Sequence, residues 1–130
     1  MDLDRIRREK TTLDQRYDVK WADFDTGAGI VILDFPFPTG WTPDEAPALI
    51  RYPKPYPQIQ PAMYIREEME YDGTVRHRHP TDLTGWVRWC THPLNWTRKH
   101  NLGKFLQLMG ASLSYPAEPD PYTIVDEDNA

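Results

Sequence analysis

The chain has 130 residues, a net charge of −5 and a mean hydropathy of −0.71. That length suits one domain able to bury about two-thirds of its unfolded surface, and one cysteine excludes an internal disulfide. No apolar run approaches the ~20 residues that span a bilayer, and DLDRIRREK after Met1 lacks the apolar core of a signal peptide, so a soluble, reducing, cytoplasmic setting is expected. Residues 117–130 hold five of the twenty acids and no Lys or Arg, which leaves residues 1–116 formally neutral. A neutral body argues against a general nucleic-acid binder, which would carry a basic face. The expected organisation is one domain over 1–116 and an acidic, flexible tail over 117–130.

In chain order, Asp2 to Arg16 reads as a helix: an N-terminal Asp, good helix formers, and a thin apolar stripe of Leu3, Ile6 and Leu13. The cations Arg5, Arg7, Arg8 and Lys10 form a solvated face on it. From Tyr17 the period changes to two, with Tyr17, Val19 and Trp21 alternating against polar neighbours. Asp25–Gly29 is turn chemistry and Ile30–Phe35 a β-rich run, which together predict a hairpin. Pro36, Pro38 and Gly40 then end pairing. Ala48–Tyr52 and Ala62–Arg66 are two further short strands, joined by PKPYPQIQP, whose prolines predict a rigid extended connection. Glu67–Asn101 shows no regular period. Asn101 then caps a helix with Leu102, Phe105, Leu106, Met109 and Leu113 at helical spacing, closed by Pro116. The expected fold is α+β: an N-terminal helix, a four-stranded antiparallel meander, a long irregular segment and a C-terminal helix.

Chemistry concentrates in the irregular segment. It holds Cys90 and all four histidines, His77, His79, His92 and His100, with Trp86, Trp89 and Trp96. Thiol and imidazole are the side chains that act as nucleophiles, proton carriers and metal ligands near neutral pH. Three readings stand. Cys90 is a nucleophile, with His92 and Arg88 two residues to either side raising its thiolate fraction. His77, His79, Cys90 and His92 hold a zinc ion, although that spacing matches no finger, knuckle or ribbon. Or Cys90 is a small core residue. As an acyl-transfer site, the segment offers His79, His92 and Asn95 as candidate donors to an oxyanion.

The residues resemble, in order, those of the ubiquitin-conjugating-enzyme family. RYPKPYPQIQPAMYI resembles the family's Tyr-Pro-x-x-Pro-Pro region between the third and fourth strands. His79-Pro80 resembles the start of the His-Pro-Asn motif, and Gly85, Cys90 and Trp96 follow in the family's order around the nucleophile. LGKFLQLMGASLSYP resembles the helix after the active site, and GWVRWCTHPLNW is similar to the Trp-rich segment of divergent prokaryotic members. Thr81 stands where the family has asparagine, and the interval from Gly85 to Cys90 is longer than the family's.

The resemblance spans about residues 1–116. It implies a protein that carries a ubiquitin-like modifier as a thioester on Cys90 and transfers it to an amine, without a cofactor or resident metal. It implies an activating enzyme and a ubiquitin-like protein as partners, with a deconjugating metallopeptidase in the same system, and no nucleic acid or membrane. Some such systems act in defence against phage. Other superfamily members are non-catalytic interaction modules, which is the alternative reading; a zinc-stabilised domain is the third.

Overall fold

Helix α1 spans Leu3–Asp14 and starts where the Asp2 side chain accepts the amide of Arg5, one of the donors a helix leaves unpaired in its first turn. The structure is a computed structural model, and it describes residues 2–24, 27–89 and 96–116. Of the predicted stripe on α1, Ile6 and Leu13 are buried and Leu3 is exposed.

Among the described residues eight strands follow: β1 Val19–Phe24, β2 Gly27–Pro36, β3 Trp41–Thr42, β4 Glu45–Arg51, β5 Ala62–Arg66, β6 Glu70–Tyr71, β7 Arg78–His79 and β8 Trp86–Trp89. Helix α2, Leu102–Ser114, comes after them, with Asn101 as its cap accepting from the Lys104 amide. The main sheet is antiparallel throughout, in the order β1-β2-β4-β5-β8-β7; β3 and β6 pair separately. The architecture is therefore α+β, with a helix at each end and an antiparallel sheet between. β1, β2, β4 and β5 form the expected four-strand meander.

Register explains the core. Ile30, Ile50, Met63 and Trp89 lie opposite one another across β2, β4, β5 and β8, and Ile32, Ala48, Ile65 and Val87 form the next row. Side chains alternate across a sheet, so these rows share a face. They pack in one cluster with Ile6 and Leu13 of α1 and Leu102, Phe105, Met109 and Leu113 of α2. Val31, Leu49, Tyr64, Arg88 and His79 line up on the opposite face.

Three expectations are corrected. Glu67–Asn101 is not wholly irregular: β6, β7 and β8 lie in it, and β7 and β8 extend the sheet to six strands. These strands are two to four residues long, too short to show a period, and β8 pairs with β5, so nothing adjacent in sequence announces it. The proline-rich connection is not extended. The Tyr56 amide donates to the Pro53 carbonyl and the Gln58 amide to the Pro55 carbonyl, which gives two successive turns that bury Tyr52 and Tyr56 with ring centroids 4.6 Å apart. The prolines supply fixed φ angles, and the buried tyrosine pair decides that the chain folds back. In β1, Val19 is buried but Trp21 is half exposed, with the Lys10 ammonium 5.4 Å from its ring centroid.

Candidate functional site

The site is built around the end of β8. Trp89, the last described residue before Cys90 in the chain, is buried, and its indole N–H donates to Ser112 Oγ of α2 at 3.0 Å. Its ring meets Trp41 edge-on at 5.7 Å, and the buried His77 ring lies 5.6 Å away. Trp41 is in turn fixed by a 2.8 Å bond from its Nε1 to the Leu113 carbonyl. β3 reaches this position because Gly40 precedes it at φ +103°, where a Cβ would come within 2.7 Å of the Tyr71 ring.

β7 runs beside β8, with Arg78 opposite Trp89 and His79 opposite Arg88. The Arg78 guanidinium donates to the Met69 carbonyl and sits over the Trp41 ring, 5.7 Å from its centroid. Beyond His79 the ladder stops: the next residue is Pro80, which has no N–H to contribute. The chain then turns through Gly85 at φ +88° and enters β8. Between this turn and β8 lies an open cleft of about 380 Å³, lined by Glu67, Arg78, His79, Thr81, Gly85 and Trp86 among others. Trp86 is half-buried beneath the Arg66 guanidinium, 5.0 Å from its ring centroid. Arg51 reaches Asp82 of the same turn at 3.9 Å.

On the far side of residues 90–95 the chain is held just as firmly. Trp96 donates from Nε1 to the Pro57 carbonyl at 2.7 Å and packs against Tyr56 and Phe105. His100 Nδ1 accepts from the Thr97 amide at 2.9 Å, which closes the turn before α2. Arg5 of α1 donates to the carbonyls of Arg98 and His100. Glu9, one turn further along α1, accepts from Arg5 Nε at 3.2 Å, from the Tyr56 hydroxyl at 2.6 Å and from the Leu102 amide at 2.6 Å. Its carboxylate thus meets the positive end of α2, where a negative charge is favoured. Burial, reinforced by the hydrogen bond to Glu9, pushes the Tyr56 hydroxyl well above the ordinary tyrosine range.

Of the four residues expected to carry acyl-transfer chemistry, His79 is exposed at the edge of the sheet and lines the cleft. Cys90, His92 and Asn95 lie outside the described residues. The zinc reading draws on four residues, two of which, Cys90 and His92, are likewise outside. Its other two differ in environment, since His77 is buried against Trp89 and His79 is exposed. Among the described residues no three of His, Cys, Asp or Glu are grouped to hold a metal ion. Nor is any helix among them long and apolar enough to cross a membrane.

Sequence reading missed the Arg5–Glu9–Tyr56 node. The spacing of Arg5 and Glu9 marks an ordinary i,i+4 surface pair, and only the fold brings Tyr56 and Leu102 to the same carboxylate. Arg5 was read as part of a solvated face and is instead a clamp on the 98–100 turn. Compared with known proteins, the chain matches no family model, no curated protein and no solved structure.

Proposed function

We propose that the chain is a ubiquitin-conjugating-like protein that receives a ubiquitin-like modifier on Cys90 and passes it to an amine. The observation that carries this reading is the pairing of β7 with β8. It brings His79-Pro80 alongside the strand that leads directly into Cys90, although nine residues of sequence separate Pro80 from the cysteine. The first helix, the four-strand meander and the closing helix stand around that pair in the order that the sequence resemblance implies. Tight anchoring of Trp89 and Trp96 on the two sides of residues 90–95 supports it further, because a transferring thiol needs fixed surroundings.

The proposed chemistry is two acyl transfers. In the first, the Cys90 thiolate attacks the carbonyl carbon of the modifier's C-terminal thioester on an activating enzyme. A new S–C bond forms, the old S–C bond breaks, and the activating enzyme's thiolate leaves and takes up a proton. In the second, an amine nitrogen attacks the Cys90 thioester, an amide forms, the amine gives up a proton and Cys90 leaves as thiolate. An ordinary thiol, with a pKa of about 8.5, is only a few per cent ionised at pH 7. An imidazole near it, from His92 or His79, would raise that fraction. Both steps develop negative charge on the carbonyl oxygen, for which His79, His92 and Asn95 are the candidate donors.

The test is incubation with a candidate activating enzyme, its ubiquitin-like protein and ATP. The expected product is an adduct of one modifier per chain that is cleaved by reductant and absent in Cys90→Ala. No adduct, under conditions where the activating enzyme charges itself, overturns the reading. Modifier binding that survives Cys90→Ala without any adduct identifies a non-catalytic interaction module instead.

A further inference from the structure

β1 forms one edge of the main sheet and pairs with β2 alone. The Leu33 amide donates to the carbonyl of Asp18 directly opposite it. Bonded pairs alternate along an antiparallel ladder, so Lys20, Ala22 and Phe24 turn their amides and carbonyls toward β2. Val19, Trp21 and Asp23 turn theirs outward, where no other described residue bonds to them. The opposite edge of the sheet is the two-residue β7, stopped by Pro80, whereas β1 has six residues and no proline. An open edge of that length is a template for another strand. Its side chains are accessible too: Trp21 is half exposed, with the Lys10 ammonium of α1 over its ring. Asp23 follows two residues later on the same face of the sheet, exposed and in no ion pair with another described residue.

We propose that β1 pairs antiparallel with β1 of a second copy of this chain, about a two-fold axis that passes between the two Ala22 residues. Trp21 of each copy then stands opposite Asp23 of the other, and these two bonded pairs satisfy the outward amides and carbonyls of both residues. Ala22 falls at the axis, a non-bonded pair where Cα atoms approach to about 4.5 Å and a methyl group fits. Charge selects this register and this partner. Each Asp23 carboxylate enters the surroundings of the Lys10 ammonium that lies over the other copy's Trp21, and symmetry makes the contact twice. Lys10 also holds Asp14 at 2.9 Å, which fixes its side chain in that position. The adjacent register, with Trp21 against Trp21, brings two Lys10 ammoniums together and sets Asp23 against the apolar Val19. The proposed pairing joins two six-stranded sheets into one and leaves both copies of β7, with their His79 clefts, at the outer edges. Two short strands bury less than the ~1,200 Å² of a standard interface, so the dimer is weak and reversible. The proposal goes beyond the thioester reading and does not depend on it.

The experiment is sedimentation velocity on the full chain at about 0.1 M salt, where the Debye length is about 10 Å. The wild type is expected to pass from monomer to dimer with a dissociation constant between about 10 µM and about 1 mM. Asp23→Lys sets a lysine against Lys10 of the other copy, and Lys10→Glu sets a glutamate against Asp23, so each variant alone associates at least about tenfold more weakly. An equimolar mixture of the two variants restores the wild-type constant, because both contacts of the mixed pair again join a lysine to a carboxylate. Asp23→Pro removes an outward amide that the β1–β2 ladder does not use, and it abolishes the dimer while keeping the melting transition cooperative. A wild type that stays monomeric to about 1 mM overturns the proposal. So does a dimer that persists in Asp23→Pro, which would place the interface on another surface, or a mixture no more associated than its two components.

Discussion

Replacing Glu9 with alanine tests whether one carboxylate joins the first helix to the last. Its side chain is 11 % exposed and Arg5 18 %, so the pair is mostly withdrawn from water. Alanine leaves the buried Tyr56 hydroxyl without its acceptor, which costs about 1–3 kcal/mol. It also removes the negative charge from the start of α2 and the partner of Arg5 Nε, each worth about 1 kcal/mol at this burial. Together these give a loss of about 3–5 kcal/mol, a large share of the stability of a domain this size. In urea unfolding, with a slope of about 1.5–2 kcal/mol/M, the midpoint falls by about 2 M. Glu9→Gln keeps one carbonyl acceptor and loses the charge, so it falls between the variants, at about 1–2 kcal/mol. A cycle with Tyr56→Phe isolates the hydroxyl bond and gives a coupling of about 1–2 kcal/mol. A loss under about 1 kcal/mol for Glu9→Ala at unchanged slope, or strict additivity in the cycle, would mean that Glu9 is an ordinary surface carboxylate.

Two further outcomes are expected. Burial, with the Glu9 charge nearby, raises the hydroxyls of both Tyr52 and Tyr56 above the ordinary value of 10.0, so the folded chain holds these protons more tightly than the unfolded chain. Their contribution is complete below about pH 10 and is lost as the pH rises further, at up to about 1.4 kcal/mol per unit for each group; thermal melts from pH 8 to 11 check this, and a Tyr52→Phe variant with the same alkaline slope as wild type would refute it. Gly85→Ala forces a side chain onto φ +88° and sets its Cβ 3.1 Å from the Arg66 guanidinium, which stacks on Trp86. The expected cost is about 1–2 kcal/mol, with a change in Trp86 fluorescence, and an unchanged melting temperature would show that the turn relaxes.

What could be read from the sequence was local. α1 announced itself by composition and by Asp2, and α2 by Asn101 and a five-residue apolar stripe, because helices are written in neighbouring residues. β5 fell at its predicted bounds, since AMYIR is bracketed by proline and by turn residues. β8 was missed because its pairing with β5 and its burial against Ser112 are decided by residues some twenty positions away on either side. The same limit applied to the candidate site. Trp89 and Trp96 both pack onto the body. Which tryptophan would be core, and that a carboxylate on α1 would hold the start of α2, follow only from the assembled fold. His77 and His79 look equivalent in sequence, yet one lies inside and one outside, because the chain enters β7 between them.

The bond between Glu9 and the Leu102 amide joins positions 93 residues apart, which has a bearing on how the chain is made. At translation speeds of about 5–20 residues per second, the first helix leaves the ribosome about 5–20 s before the amide that completes its carboxylate site. During that interval α1 has neither its electrostatic partner nor the α2 face that buries Ile6 and Leu13, and a twelve-residue helix is marginal alone in water. The meander can form meanwhile from contacts close in sequence. The expected order of growth is therefore sheet first, with the two helices docking together once α2 has emerged.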